Sequence, residues 1–151
     1  MDRDELFMRR ALALAREAAR EGEVPVGAVI VKDGKVIAEG RNRRETGKNA
    51  LCHAELEAIG QACRLLGGWR LWQCELFVTL EPCPMCAGAI INARIPRVVY
   101  GARDPKAGSC GSVVNLFELP YNHSPELCAG VLADECAALL TDFFKKLRDK
   151  K

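Results

Sequence analysis

No apolar run in this 151-residue chain approaches the ~20 residues that cross a bilayer as a helix. The opening Met1-Asp2-Arg3-Asp4-Glu5 is charged where a secretory leader is apolar. These two absences argue against a helical membrane protein and against export, and the expected location is the cytoplasm. There is also no internal repeat, low-complexity stretch or linker, so residues 1–151 are expected to form one domain. Charge of either sign is scarcely in excess: 22 Lys and Arg stand against 20 Asp and Glu, for a net +2. The global balance therefore does not mark a polyanion binder. Eight cysteines are spread along the chain, not crowded into a short one, which points away from a disulfide scaffold and toward a reducing compartment. A hydrophobic content of 49% with 28% charged residues is that of an ordinary globular protein.

The charge is unevenly placed. Residues 41–50 carry Arg41, Arg43, Arg44 and Lys48 against Glu45, and residues 141–151 carry Lys145, Lys146, Arg148, Lys150 and Lys151 against Asp142 and Asp149. Each cluster is read either as a solvated surface or as a contact for a polyanion.

Apolar spacing at Phe7, Ala11, Leu14 and Ala18 predicts a helix from Asp4 to Glu21, stopped by Gly22. Val26–Val31 and Lys35–Glu39 are strand-like, and Asp33-Gly34 between them signals a two-residue hairpin turn. After a polar loop, a second helix begins near His53, with Cys52, Leu56, Ile59, Cys63 and Leu66 on its expected apolar face, and Gly67-Gly68 ends it. Glu75–Leu80 is a third strand, broken by Pro82. Pro84 is suited to the first turn of the next helix, which carries Cys83 and Cys86. Arg97–Gly101 is a fourth strand, and a closing helix places Leu132, Cys136, Leu139 and Phe143 on one face. Helices alternating with strands in this way give an α/β layered fold. Cys52, Cys63 and Cys136 are read as small buried hydrophobes. Cys74 opens a strand, and Cys110 and Cys128 have no assigned role.

The chemistry concentrates in two short motifs, His53-Ala54-Glu55 and Pro82-Cys83-Pro84-Met85-Cys86. One imidazole and two thiolates leave a tetrahedral Zn²⁺ one ligand short, which is how catalytic zinc sites are built. The strand-to-helix connection puts both cysteines at a helix N-terminus, whose partial positive charge favours thiolates. Glu55, two residues beyond the imidazole, is the natural proton shuttle. A thioredoxin-like redox pair would leave His53 and Glu55 without a use. A closed structural zinc site needs a fourth ligand, for which Cys52 is the nearby candidate, but adjacent side chains on a helix diverge by about 100°. By residue type alone, Asn42 and Asp104-Pro105 are turn signals, and Val26 is a core position.

His-x-Glu with Pro-Cys-x-x-Cys is recognised as the signature of zinc-dependent nucleobase deaminases. Beyond it, the chain resembles the bacterial tRNA-specific adenosine deaminases of the cytidine deaminase-like superfamily nearly end to end. The resemblance is carried by Glu23-Val24-Pro25-Val26-Gly27-Ala28, by Asn42, and by Thr79 through Ala89. It continues through Gly101-Ala102-Arg103-Asp104-Pro105-Lys106 and Leu132 through Leu140. It implies a three-layer fold, a mixed five-stranded sheet flanked by helices, with a fifth strand at Ser112–Leu116. It also implies a homodimer and one Zn²⁺ per chain on His53, Cys83 and Cys86, with Glu55 as acid and base. Asn42 and the Ala54 backbone are the expected contacts to the target base, Val26 a pocket wall, and Asp104 and Lys106 part of a loop that approaches RNA. The implied reaction is deamination of adenosine to inosine at the wobble position of a tRNA anticodon. The basic clusters then become expected backbone contacts, through Arg43, Arg44, Lys145, Lys146 and Arg148. The chain departs from the family at Asn49-Ala50-Leu51-Cys52, where many members read Asp-Pro-Thr-Ala. Three other readings share the zinc motif: a deaminase of a free base or nucleotide, a zinc-stabilised RNA-binding module, and a deaminase of cytosine in single-stranded nucleic acid.

Overall fold

Residues 2–150 are described by a computed structural model. The first helix, α1 (Arg3–Arg20), starts at Asp2, whose carboxylate accepts from the Asp4 amide at 3.4 Å. It buries Phe7, Met8, Ala11, Leu12 and Leu14, matching the expected apolar stripe. The hairpin β1 (Gly27–Lys32) and β2 (Lys35–Arg41) turns through Asp33 at φ 52° and Gly34 at φ 76°. Two successive positive φ values are what a two-residue turn matched to strand twist requires. The remaining elements are α2 (Ala54–Leu66), β3 (Cys74–Leu80), α3 (Pro84–Asn92), β4 (Arg97–Ala102), β5 (Glu126–Ala129) and α4 (Ala133–Asp149).

The five strands form one mixed sheet in the order β2-β1-β3-β4-β5, antiparallel from β2 to β3 and parallel from β3 to β5. Both faces are covered. Ala28, Ile30, Leu76, Val78, Val98 and Tyr100 pack against α2 and α3, while Val29, Val31, Phe77 and Val99 pack against α1 and α4. This is the three-layer α/β arrangement expected, and it explains why the inner strands read as continuous apolar runs. At the end of the sheet where β3 and β4 begin, Arg97 bridges Asp4 and Glu75, each at 2.7 Å, and ties the start of α1 to the sheet.

The fifth strand is not at Ser112–Leu116. That segment is a loop with a single bridge, Cys110 to Asn115, and its backbone amides are used elsewhere. The fifth strand is Glu126–Ala129, a short edge that pairs with β4 from Arg97 to Tyr100. It is four residues long and only partly buried, so it carries no alternating pattern to read. The packed face of α2 also differs from the expected one. Ala54, Glu55, Ala58, Ile59 and Ala62 are buried, whereas Leu56 and Cys63 are half-buried, Leu66 is 38% exposed, and Cys52, also half-buried, precedes the helix. Small residues win because α2 lies close on β2: a methyl group at Gly40 would overlap the Ala54 carbonyl oxygen. On α4 the expected stripe holds with one change of role, since Leu132 is the N-cap residue at φ 53° and Cys136 is the buried contact. All eight cysteines are free; Cys110 is buried and Cys128 half-buried. Among the described residues, no helix is long and apolar enough to cross a membrane.

Candidate metal centre and active-site pocket

The sheet brings the N-termini of α2 and α3 together at the carboxyl end of β3. His53 is the N-cap of α2 and Cys83 the N-cap of α3, both extended, and neither side chain caps its helix. The two side chains meet instead. His53 Nδ1 lies 3.7 Å from Cys83 Sγ and 3.6 Å from Cys86 Sγ. A tetrahedral Zn²⁺ with its usual bond lengths separates a nitrogen and a sulfur ligand by about 3.6 Å, so this donor set fits that ion. Among the described residues the cluster has three members, and Cys52 does not join it. That excludes the closed four-ligand site and leaves one coordination position for something else. The hydrogen bond from the Cys86 thiol lowers Cys83 to about 4, and the same bond, with burial, raises Cys86. The Cys83 sulfur also raises His53.

Glu55, on the first turn of α2, is 4% exposed, and burial pushes its carboxyl up to about 7. A carboxyl poised near neutrality can both take and return a proton. It faces a cavity of about 200 Å³ lined by Val24, Val26, Asn42, Arg44, His53, Ala54, Glu55, Leu80, Glu81, Cys83, Asp104 and Ala107. The volume is below the ~300 Å³ at the small end of drug-sized sites, which suits a single planar base.

Of the residues singled out in the sequence, Val26, Asn42, Arg44, His53, Ala54, Glu55, Cys83 and Asp104 line this cavity. Cys86 lies behind it, fully buried. Asn42 serves the loop as well as the cavity: its Nδ2 donates to the Val24 carbonyl at 3.2 Å and its Oδ1 accepts from the Arg44 amide at 3.1 Å. One amide hydrogen and one oxygen lone pair are left over. Lys106 is not in the cavity. It lines a separate shallow groove with Phe144, Leu147 and Arg148 of α4. Lys145 and Lys146 are exposed on the same helix. Arg43 is held by Glu57 at 2.6 Å, and Arg41 by Glu21 at 2.8 Å, so the basic loop is less charged in space than along the chain.

Two buried carboxylates, unremarked in the sequence beyond their place in longer matching stretches, organise the cavity rims. Glu23, 1% exposed, accepts from the amides of Glu45 and Thr46 at 3.0 and 2.6 Å. Glu81, 2% exposed, accepts from the amides of Asp104, Cys110 and Ser112, each at 3.0 Å, and from the Ser112 hydroxyl. Burial alone would raise both carboxyls, but the hydrogen bonds outweigh it and hold both below the ordinary range. A carboxylate whose partners are backbone amides has no complementary residue type in the sequence, so no motif could reveal it.

An α/β/α sheet with an open-sided His-Cys-Cys centre beside a buried glutamate defines a deaminase class, and the chain matches the model of the MafB19-like deaminases over residues 1–148. It is 49% identical over 152 residues to the tRNA-specific adenosine deaminase of Bacillus subtilis (strain 168), covering 100% of this chain and 94% of that one. It superimposes with a TM-score of 0.86 on a structure from studies of A-to-I editing by tRNA:A34 deaminases at the wobble position, at 47% identity, over 89% of this chain and 98% of that one. A guanine deaminase from Nitrosomonas europaea is more distant, at 26% identity with a TM-score of 0.77, over 92% of this chain and 83% of that one. The chain belongs to the tRNA-specific adenosine deaminase family.

Proposed function

We propose that this protein converts adenosine to inosine by hydrolysis at the wobble position of a tRNA anticodon, with one Zn²⁺ per chain held by His53, Cys83 and Cys86. The observation that carries this reading is a three-donor cluster beside one base-sized cavity, which His53, Cys83 and the buried Glu55 line. Bound there, zinc supplies a Lewis acid that brings the pKa of water toward ~7. Glu55 takes the first proton from the attacking water and delivers it to adenine N1, then takes the remaining proton of the new C6 hydroxyl and passes it to the departing amine. Water adds at C6 and ammonia leaves, so adenosine and water give inosine and ammonia. Val26 and Leu80 form apolar walls for the ring, and the unused polar capacity of Asn42, with the Ala54 backbone, holds its edge. Arg44 at the rim meets the backbone phosphates, and Lys106, Lys145, Lys146 and Arg148 extend that contact along the α4 side, with Arg43 reaching RNA only on release from Glu57. An anticodon loop base is poorly stacked already, so presenting it costs less than flipping one from a duplex.

The competing reading is a free-base deaminase, favoured by the likeness to the guanine deaminase. Zinc-loaded protein assayed against an anticodon stem-loop and against free adenosine, cytosine and guanine separates the two. Inosine in the stem-loop is the expected result; ammonia from a free base alone would overturn it. The reading includes a cytoplasmic homodimer, which rests on the resemblance, and sedimentation should then report about twice the 16.6 kDa chain mass.

A further inference from the structure

We propose that Glu81 is a positioning residue for the deamination: its carboxylate suspends the loop from Asp104 to Ser112 as a wall of the cavity that Asn42 and Glu55 also line, and so fixes how the base meets Glu55. The proposal rests on the deaminase reading above. Glu81 follows β3 directly, and its own amide donates to the Ala102 carbonyl at 2.8 Å, which anchors it to the end of β4. One carboxylate oxygen accepts from the Asp104 amide and the Ser112 hydroxyl, the other from the Cys110 and Ser112 amides. The loop is folded tightly around that carboxylate. A methyl group at Gly108 would overlap it, and the Ser109 amide reaches back to the Pro82 carbonyl at 2.8 Å. Asp104 and Ala107, both part of this loop, line the cavity. Among the described residues the Asp104, Cys110 and Ser112 amides have no other side-chain acceptor, so removing the carboxylate takes away their side-chain hold and leaves the loop on its own backbone hydrogen bonds.

The test uses Glu81→Gln, in which one oxygen becomes an amide nitrogen that turns its hydrogens toward a donor. Zinc content and cooperative unfolding should persist. Exchange of the Asp104, Cys110 and Ser112 amides should rise about tenfold or more, with α1 and β1 unchanged. In the same zinc-loaded preparation, kcat/KM on the anticodon stem-loop should fall about a hundredfold, the scale of a misplaced reactant. Gly108→Ala leaves the carboxylate in place but presses a methyl into it and into the Asp104 carbonyl oxygen. It should reproduce both effects, and it decides the matter if Glu81→Gln does not fold. Stem-loop kinetics within about twofold of the parent, with the loop amides released, would overturn the proposal; so would loosening spread over the whole domain. Absence of inosine with the parent protein would sink the deaminase reading instead, while loop exchange would still report whether Glu81 holds the wall.

Discussion

Replacing Gly40 by alanine should damage both stability and catalysis, and the same change at Gly60, in the helix that packs on Gly40, should do neither. A Cβ at Gly40 would sit on the Ala54 carbonyl oxygen and 2.9 Å from the Ala58 amide nitrogen. Both are backbone atoms of α2 and cannot swing aside, so the helix must lift from β2. Overpacking of this kind costs about 1–3 kcal/mol, which for a chain of this size lowers Tm by roughly 3–10 °C. The lifted turn is the one that carries His53, Ala54 and Glu55, and a shift of about 1 Å there can cost up to a hundredfold in kcat/KM. At Gly60 the nearest atom is the flexible end of Arg64, 3.4 Å away, and the backbone is ordinary helix. Alanine there should gain about 0.5–1 kcal/mol from helix propensity, a rise of a few degrees at most. Thermal unfolding of both variants at saturating zinc, with deamination measured on the same preparations, tests the pair. A Gly40→Ala protein as stable as its parent would refute the close approach of α2 to β2.

Glu55→Gln should keep the fold and the zinc while turnover falls by about two orders of magnitude or more, the usual scale for a general acid and base. Cys86→Ala should show the opposite division, losing metal by elemental analysis as well as activity, because one of three donors is gone. Stability should also depend on acid. Glu23 has its folded pKa held below the ordinary carboxyl value near 4.3 by the Glu45 and Thr46 amides. Its contribution is therefore complete above that value and is lost as pH falls through the folded pKa. Urea unfolding from pH 7 to pH 3 should show stability dropping below about pH 4.5, with a shallower drop in Glu23→Gln. Identical slopes in the two proteins would refute this.

What was legible in the sequence was what is local. The Asp33-Gly34 turn, the α1 stripe and the two halves of the metal site each depend on spacings within one element. The sheet then only has to bring the starts of α2 and α3 together. The β5 strand was not legible because a short, half-exposed edge has little apolar pattern, and its pairing is set by β4. The buried face of α2 was not legible because Leu56, Ile59, Cys63 and Leu66 also share one helical face, whereas close approach to a strand selects Ala54, Ala58 and Ala62. The charge of the basic loop was overcounted because Glu21 and Glu57, which neutralise Arg41 and Arg43, lie outside the window in sequence.

The grip of Glu81 on its loop is nearly blind to side chains. It engages three amide N–H groups, which every residue except proline supplies, and one hydroxyl. No side chain at positions 105, 106 or 107 takes part in these bonds, so each can be exchanged for another without unhooking the wall, whereas Gly108 is pinned against the carboxylate. A lineage that inherits this clasp can try new chemistry along one side of the pocket, a residue at a time, on a scaffold that does not have to be rebuilt.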